Sequence, residues 1–407
     1  MRRDVVALAA LVFAGGVAMA AHPPQDEEPG RRTVADEHVS GDFEFDLSDA
    51  GLGVLIVKFT VEDGVLWAQT QAASEPFPLE AVPETEARYS ANHPDEGTYE
   101  VTFLRDEGGR FARARIVNQT LGIDAYGRRL DSPVVFQTLS ERLASRDGLT
   151  ETRGDLQGTR VAVFFGRGMD RNSAIALGRA FQWMGCDVEI VDSDDITSGR
   201  LLQFDVLAFP GGEKDPDPWS ELGPEGVENI REFIRGGGGY IGVCFGALFA
   251  SSSGEFWGQP VHQADRSPLD LFQGSARCGQ NDIAPPGSWP LMTDLNVPDH
   301  SHPIAETLPD RMHVVVYPNG PYLEPFAGAE VAVIATFDIT GMPAMVAFEY
   351  GEGKAFLSGP HPEIEVDSER DGSGRFDELA DEGSEWPVLL AVVKWMVGEA
   401  PSLSQPG

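Results

Sequence analysis

Two short segments carry residues whose types and spacing suit nucleophilic chemistry. The first is Gly242-Val243-Cys244-Phe245-Gly246, which follows the apolar run 240–243 and precedes Ala247-Leu248-Phe249-Ala250. A strand that turns sharply into a helix on a cysteine presents the sulfur at the strand's end. Glycines two residues to either side leave room for neighbouring chain. The start of the following helix offers positive potential, which favours a thiolate and a developing oxyanion. Taken alone, the same five residues also describe a buried structural cysteine in a glycine-rich loop. The second segment is Gly359-Pro360-His361-Pro362-Glu363, directly after a hairpin read from strands 345–350 and 354–358 and the turn Gly351-Glu352-Gly353. A histidine at a strand end suits a general base for a thiol. A carboxylate two residues on fixes its tautomer and steadies the imidazolium. By itself His361 reads equally as a surface-loop histidine, and only the pairing with the cysteine turn gives it a role. Asp299-His300-Ser301-His302 has the close spacing of metal ligands, but no further Cys/His cluster completes a site. That stretch reads better as a turn and helix start, and neither a metal nor any other cofactor is expected. Glycines 236–239 lack the Lys-Ser/Thr ending of a phosphate loop.

Such residues need elements to position them. From Arg160 continuous apolar runs alternate with one-sided helical stripes. Residues 161–165 read as a strand buried on both faces, and Ala174, Leu177, Phe181 and Met184 share one helical stripe. Residues 188–191 form the next strand, and 204–209 run into Pro210-Gly211-Gly212. Pro224 opens a helix with Val227, Ile230 and Ile234 inward, glycines 236–239 stop it, and 240–243 make the fourth strand. This rhythm predicts an α/β fold, an open, mostly parallel sheet flanked by helices, with ligands beyond the carboxyl ends of its strands. The cysteine turn 242–246 and the segment 359–363 with His361 both fall at such ends. Residues 38–130 differ: short alternating segments at 43–45, 54–61, 65–68, 99–104 and 111–117 are separated by Glu62-Asp63-Gly64 and Asp106-Glu107-Gly108-Gly109. They predict a small antiparallel β domain, a barrel or curved sheet, without a catalytic constellation. Residues 131–158 read as a connector with some helix at 136–143.

The pair G-x-C-x-G and H-P-E resembles the nucleophile and base–acid signature of class I glutamine amidotransferases, whose fold is flavodoxin-like. Within that superfamily the sequence is more similar to the N-terminal domain of some eukaryotic biotin–protein ligases, a domain that also occurs alone. The matching stretches are AFPGG (208–212), GGGYIGVCFGALFAS (237–251), LDLFQGSARCG (269–279), VVYPNGPYLEP (315–325) and YGEGKAFLSGPHPE (350–363), and they extend the α/β domain over 159–400. The resemblance implies a catalytic triad of Cys244 as nucleophile, His361 as base and Glu363 as orienting acid, with Gly242 and Gly246 framing the elbow. It implies an oxyanion hole from the backbone N–H groups of Gly212 and Phe245, and a pocket beside Gly211 and lined by Tyr317, Asn319 and Gly320. For the last three a plain turn would look identical. Biotin transfer is not implied, because the sequence has no biotinyl-adenylate loop, and there is no acceptor domain for ammonia. The expectation is a cysteine-dependent hydrolase of amide or peptide-like bonds, working through a thioester on a small-molecule or peptide substrate. The alternative is a non-catalytic or weakly catalytic ligand-binding module on the same scaffold. Residues 38–130, through FPLEAVPET (77–85) and YEVTFLRDEGGRFARARI (99–116), resemble the small β domain attached to penicillin-binding-type serine hydrolases.

Bulk properties bound these expectations. A chain of 407 residues fits two domains and a short leader. The formal net charge is −35, and Lys58, Lys214, Lys354 and Lys394 are the only lysines. A surface this negative repels phosphate backbones and argues against nucleic-acid partners. Arg2 and Arg3, the apolar run 5–17 and Ala18-Met19-Ala20 predict a signal peptide over 1–20, or a retained anchor, and hence a periplasmic or extracellular location. A Pro-rich, charged linker over 21–37 follows, and 401–407 read as a disordered tail. No later stretch is apolar enough to span a membrane. Three cysteines are an odd number, so Cys186 and Cys278 either form a bridge or stay as buried thiols.

Overall fold

The computed structural model describes residues 37–398 apart from 48–53, 71–75, 94–96, 213–218, 261–268, 280–281, 285–289, 366–368, 374–378, 380–382 and positions 84, 121, 147, 150, 167 and 257. The expected leader and tail, and all but the last residue of the expected linker, lie outside the described residues. The chain divides into two compact units, Met1–Gln137 and Thr138–Gly407. Each has its own apolar core.

In the first unit, β1 (Gly41–Asp46), β2 (Val54–Glu62), β3 (Val65–Thr70), β4 (Phe77–Ala81), β5 (Arg88–His93), β6 (Gly97–Arg105), β7 (Phe111–Asn118) and β8 (Ile123–Arg129) form a closed barrel. Each strand pairs antiparallel with the next, and β1 closes on β8 through Phe43↔Arg129. Asp63 and Gly64 both have positive φ, 51° and 80°, as a two-residue turn matched to strand twist requires. Inward positions are aromatic: Phe103 meets Phe43, Phe59, Phe111 and Tyr89 edge-on at 4.9–6.3 Å between ring centroids.

The second unit opens with α1 (Leu139–Ser145), whose cap pairs Thr138 and Glu141 reciprocally. There follow β9 (Arg160–Phe164), α2 (Arg171–Met184), β10 (Asp187–Val191), α3 (Ser193–Thr197), β11 (Val206–Phe209), α4 (Trp219–Arg235), β12 (Gly239–Val243) and α5 (Phe245–Ala250). Helix α4 is broken at Gly223, after which Pro224 starts its second segment. Strands β13 (Ser251–Phe256), β14 (Gln259–Pro260), β15 (Phe272–Cys278), β16 (Leu291–Asn296), β17 (Arg311–Val316), β18 (Pro321–Pro325), β19 (Ala332–Phe337), β20 (Pro343–Tyr350) and β21 (Gly353–Ser358) precede the last helix, α6 (Trp386–Val397). The main sheet has nine strands in the order β10-β9-β11-β12-β21-β20-β19-β16-β17, and β14-β13-β15-β18 form a smaller one.

Strand β9 shows why the centre of this sheet is apolar throughout. Val161 and Val163 face a core shared with Ala174, Leu177 and Phe181 of α2 and Leu389, Val392 and Val393 of α6. Ala162 and Phe164 face the opposite core with Val227, Ile230 and Ile234 of α4 and Leu248 and Phe249 of α5. Among the described residues no helix is long and apolar enough to cross a membrane.

The expectation of an open, mostly parallel, flavodoxin-like α/β sheet is overturned. Four pairings of the main sheet are parallel, joining β10, β9, β11, β12 and β21. Four are antiparallel, joining β21, β20, β19, β16 and β17. With the barrel and the smaller sheet, the chain is built of antiparallel and mixed sheets and has few helices. The physical reason lies in the connections. A parallel neighbour needs a long crossover, usually a helix, and among the described residues none stands between β13 and β21. Where turns join successive strands, as Gly351 and Glu352 join β20 to β21, the strands must return antiparallel.

Candidate active site

Strands β12 and β21 lie side by side, with Val243 opposite Ser358, and both leave the sheet at the same end. The Cys244 N–H continues the ladder by donating to the Ser358 carbonyl at 2.7 Å. This register sets the cysteine turn beside residues 359–363. Cys244 has φ 50° and ψ −102°, a conformation that L residues hold only under surrounding constraint. The flanking glycines supply part of that constraint. A Cβ on Gly242 would lie 2.6 Å from the Gly246 carbonyl oxygen, and one on Gly246 would lie 2.3 Å from that of Phe209. The Tyr240 hydroxyl also donates to the Gly246 carbonyl at 2.9 Å.

His361 is anchored by its backbone, whose N–H donates to the Val315 carbonyl at 2.8 Å at the end of β17. Its Nδ1 lies 2.7 Å from Glu363 Oε1, and the two side chains are 3% and 0% exposed. Nδ1 therefore carries the proton toward the carboxylate, leaving Nε2 for chemistry. Nε2 is buried and makes no well-formed hydrogen bond among the described residues. Cys244 is nevertheless close enough for its charge to act on the ring. Burial opposes a charge on the imidazole, but the negative charges of Glu363 and Cys244 outweigh it and raise the His361 pKa to about 10.

The Pro-Gly-Gly loop rests on the same ring. A Cβ on Gly211 would lie 2.7 Å from His361 Cε1, so only glycine permits the approach. Gly212 bridges Met169, and the Asp170 N–H donates to the Gly211 carbonyl at 2.9 Å. Phe245 is the first residue of α5 and is buried. Tyr317 packs against His361 with ring centroids 4.5 Å apart. Gly320 is buried and closes the turn by donating its N–H to the Tyr317 carbonyl at 2.8 Å. Asn319 sits exposed at the tip of that turn, and nothing brings it to the imidazole.

Two partners of the site escaped the sequence reading. The Ser173 hydroxyl donates to Glu363 Oε1 at 2.7 Å and accepts from the Gly211 N–H at 2.9 Å. The Trp386 indole N–H donates to the Glu363 carbonyl at 2.9 Å, from a side chain that is wholly buried. No local pattern marks either residue, because Ser173 lies 190 positions and Trp386 23 positions from Glu363. Elsewhere, His300 is held in a turn, with Nδ1 2.8 Å from the Ala305 carbonyl and Nε2 3.0 Å from Asp310. Where a helix start was expected after His302, the chain forms turns. Among the described residues no three His, Cys, Asp or Glu side chains converge to hold a metal. No disulfide joins the three cysteines, all of them buried. Burial, helped by the nearby charge of Cys244, pushes the Cys278 thiol well up.

The family-model match to known proteins falls within the second unit. The family described as "Biotin-protein ligase, N terminal" matches residues 188–382. The biotin–protein ligase of Schizosaccharomyces pombe is 25% identical over 207 residues, 48% of this chain and 30% of that protein. Among solved structures, the chain is similar to a ThuA-like protein from Bacteroides uniformis, with a TM-score of 0.41 at 12% identity, over 62% of this chain and 97% of that one. It is also similar to a glutamine amidotransferase from Thermotoga maritima, with a TM-score of 0.39 at 12% identity, over 60% of this chain and 99% of that one.

Proposed function

We propose that the chain is an exported, cysteine-dependent hydrolase of amide or peptide-like bonds, with Cys244 as nucleophile, His361 as acid and base, and Glu363 as orienting carboxylate. The observation that carries this reading is the buried pair His361–Glu363 beside a cysteine held in a strained turn at the end of a central strand. Structural cysteines have no need of that conformation, whereas a sulfur aimed out of the sheet does. A pKa of about 10 keeps His361 cationic at neutral pH, so the imidazolium holds an Nε2 proton that can pass to a leaving amine.

In the proposed cycle the Cys244 thiolate attacks the carbonyl carbon, and the charge that develops on oxygen is taken by the N–H groups of Gly212 and Phe245. Losing one such donor typically costs about a hundredfold in rate. The Nε2 proton of His361 passes to the nitrogen as the C–N bond of the tetrahedral adduct breaks, the amine departs, and the acyl group stays on Cys244 as a thioester. Neutral His361 then removes a proton from water as its oxygen attacks the thioester. The S–C bond breaks, the acid departs, and thiolate and imidazolium are restored. Glu363 keeps Nδ1 protonated throughout and offsets the imidazolium charge.

A panel of fluorogenic amides and γ-glutamyl amides, run with native protein and with Cys244→Ala, tests the proposal. Release by the native protein that Cys244→Ala abolishes supports it. Release that survives the substitution contradicts the role of Cys244, and the absence of release across the whole panel contradicts the proposal in favour of a binding module.

A further inference from the structure

We infer that Ser173 is a positioning residue for the proposed hydrolase, fixing the Glu363 carboxylate against His361 and tying it to the Pro-Gly-Gly loop. The inference rests on the reading of Cys244 as nucleophile and of His361 and Glu363 as its partners.

Glu363 is completely buried, and a buried carboxylate is costly unless donors surround it. Among the described residues two side chains reach it, and both use the same oxygen. His361 Nδ1 and Ser173 Oγ each lie 2.7 Å from Oε1, while Oε2 is buried without a hydrogen-bond partner. With nothing gripping Oε2, rotation of the carboxylate is restrained through Oε1 alone. Remove the hydroxyl, and the imidazole is the only remaining side-chain grip.

Ser173 is itself fixed. It is 2% exposed and stands in the first turn of α2, where its N–H donates to the Asp170 cap at 3.2 Å. Its oxygen also accepts the Gly211 N–H at 2.9 Å. One hydroxyl has a single proton to donate, and the Gly211 N–H occupies an acceptor site, so that proton is directed to Glu363. The resulting chain runs from the Gly211 N–H through Ser173 and Oε1 to His361 Nδ1, joining the loop that bears the proposed oxyanion donor to the base of the same reaction. Such relays stiffen when every link is made.

The test measures the rate of Cys244 alkylation by iodoacetamide, resolved by site, in the full chain. A hydrogen bond to a charged group is worth about tenfold or more, so Ser173→Ala should slow alkylation about tenfold. Ser173→Thr, which keeps the hydroxyl, should stay within about twofold of native by the same scale. If the effect runs through Glu363, Ser173→Ala should add less than about twofold on a Glu363→Gln background, where the anion to be positioned is already gone. Thermal melting of each variant checks the fold, and all rates are compared at a temperature below the midpoint of the least stable variant. His361→Ala separates the two ideas. If it slows alkylation while Ser173→Ala leaves the rate native, or slows it equally on both backgrounds, the role of Ser173 is overturned and the nucleophile stands. If neither substitution changes the rate, the reading of the site itself is overturned.

Discussion

At Cys244 and His361 the proposed chemistry depends on groups only a few residues apart in sequence, which is why a proposal could be read there. The glycines at 242 and 246 and the carboxylate at 363 sit within two residues of the groups they serve. Ser173 and Trp386 reach the same site only through the fold, and a serine in the first turn of a helix carries no mark of a partner 190 positions away. Tyr317 lay in a turn whose sequence could not say what it faced, and in the fold its ring packs on His361. The His361–Glu363 pair has a consequence for stability. Burial lowers and the neighbouring negative charges raise the proton affinity of the folded imidazole, with a net rise from 6.5 to about 10. The folded state therefore binds this proton more tightly than the unfolded chain. Its stabilising effect is complete below pH 6.5 and fades as pH rises toward 10. Native protein should thus lose more melting temperature between those pH values than His361→Gln does, as scanning calorimetry can measure. Parallel curves for the two would contradict the charge pair.

Elements place these residues by register rather than by proximity in sequence. The elbow works because β12 and β21 are neighbours, a pairing that skips from residue 243 to residue 358. Apolar runs announce strands but not their neighbours, so the parallel half of the sheet was readable from its helices while the antiparallel half was not. Strands β16, β17 and β19 carry mixed burial and no intervening helical stripe, and their sequences gave no sign of where they add to the sheet. The barrel likewise announced itself by alternation, whereas its closure through Phe43↔Arg129 joins positions too far apart for pattern to reveal. Two substitutions test the elements around the site. Gly246→Ala pushes a methyl group to 2.3 Å from the Phe209 carbonyl oxygen, so it should destabilise the fold by roughly 3 kcal/mol, read from urea unfolding. A native midpoint would contradict the close packing of the elbow. Trp386→Phe keeps an aromatic ring, though a smaller one, and leaves the buried Glu363 carbonyl without this donor, at a cost of at least about 1–3 kcal/mol. Unfolding at the native midpoint would show that α6 does not hold the acid.

On the scale of the whole molecule, the separate cores lead to a test of autonomy. The barrel core runs from Val39 to Ile123, and the cores of the second unit begin at Leu139. A chain beginning at Thr138, where α1 is capped, should fold and melt cooperatively with Cys244 as reactive as in the full chain. Loss of cooperative melting would contradict the division. A net charge of −35 bears on solubility and partners rather than on the proposed reaction, which would depend on a few buried groups in the second unit. The central claim is that one of three buried thiols is activated. Cys244 and Cys186 are 8% and 7% exposed, so the two residues are buried to a similar extent. Site-resolved iodoacetamide labelling at pH 7 tests this directly. The account predicts that Cys244 reacts at least about tenfold faster than Cys186 and Cys278, and that His361→Ala removes the lead. Equal labelling of all three cysteines, unchanged by that substitution, would contradict it.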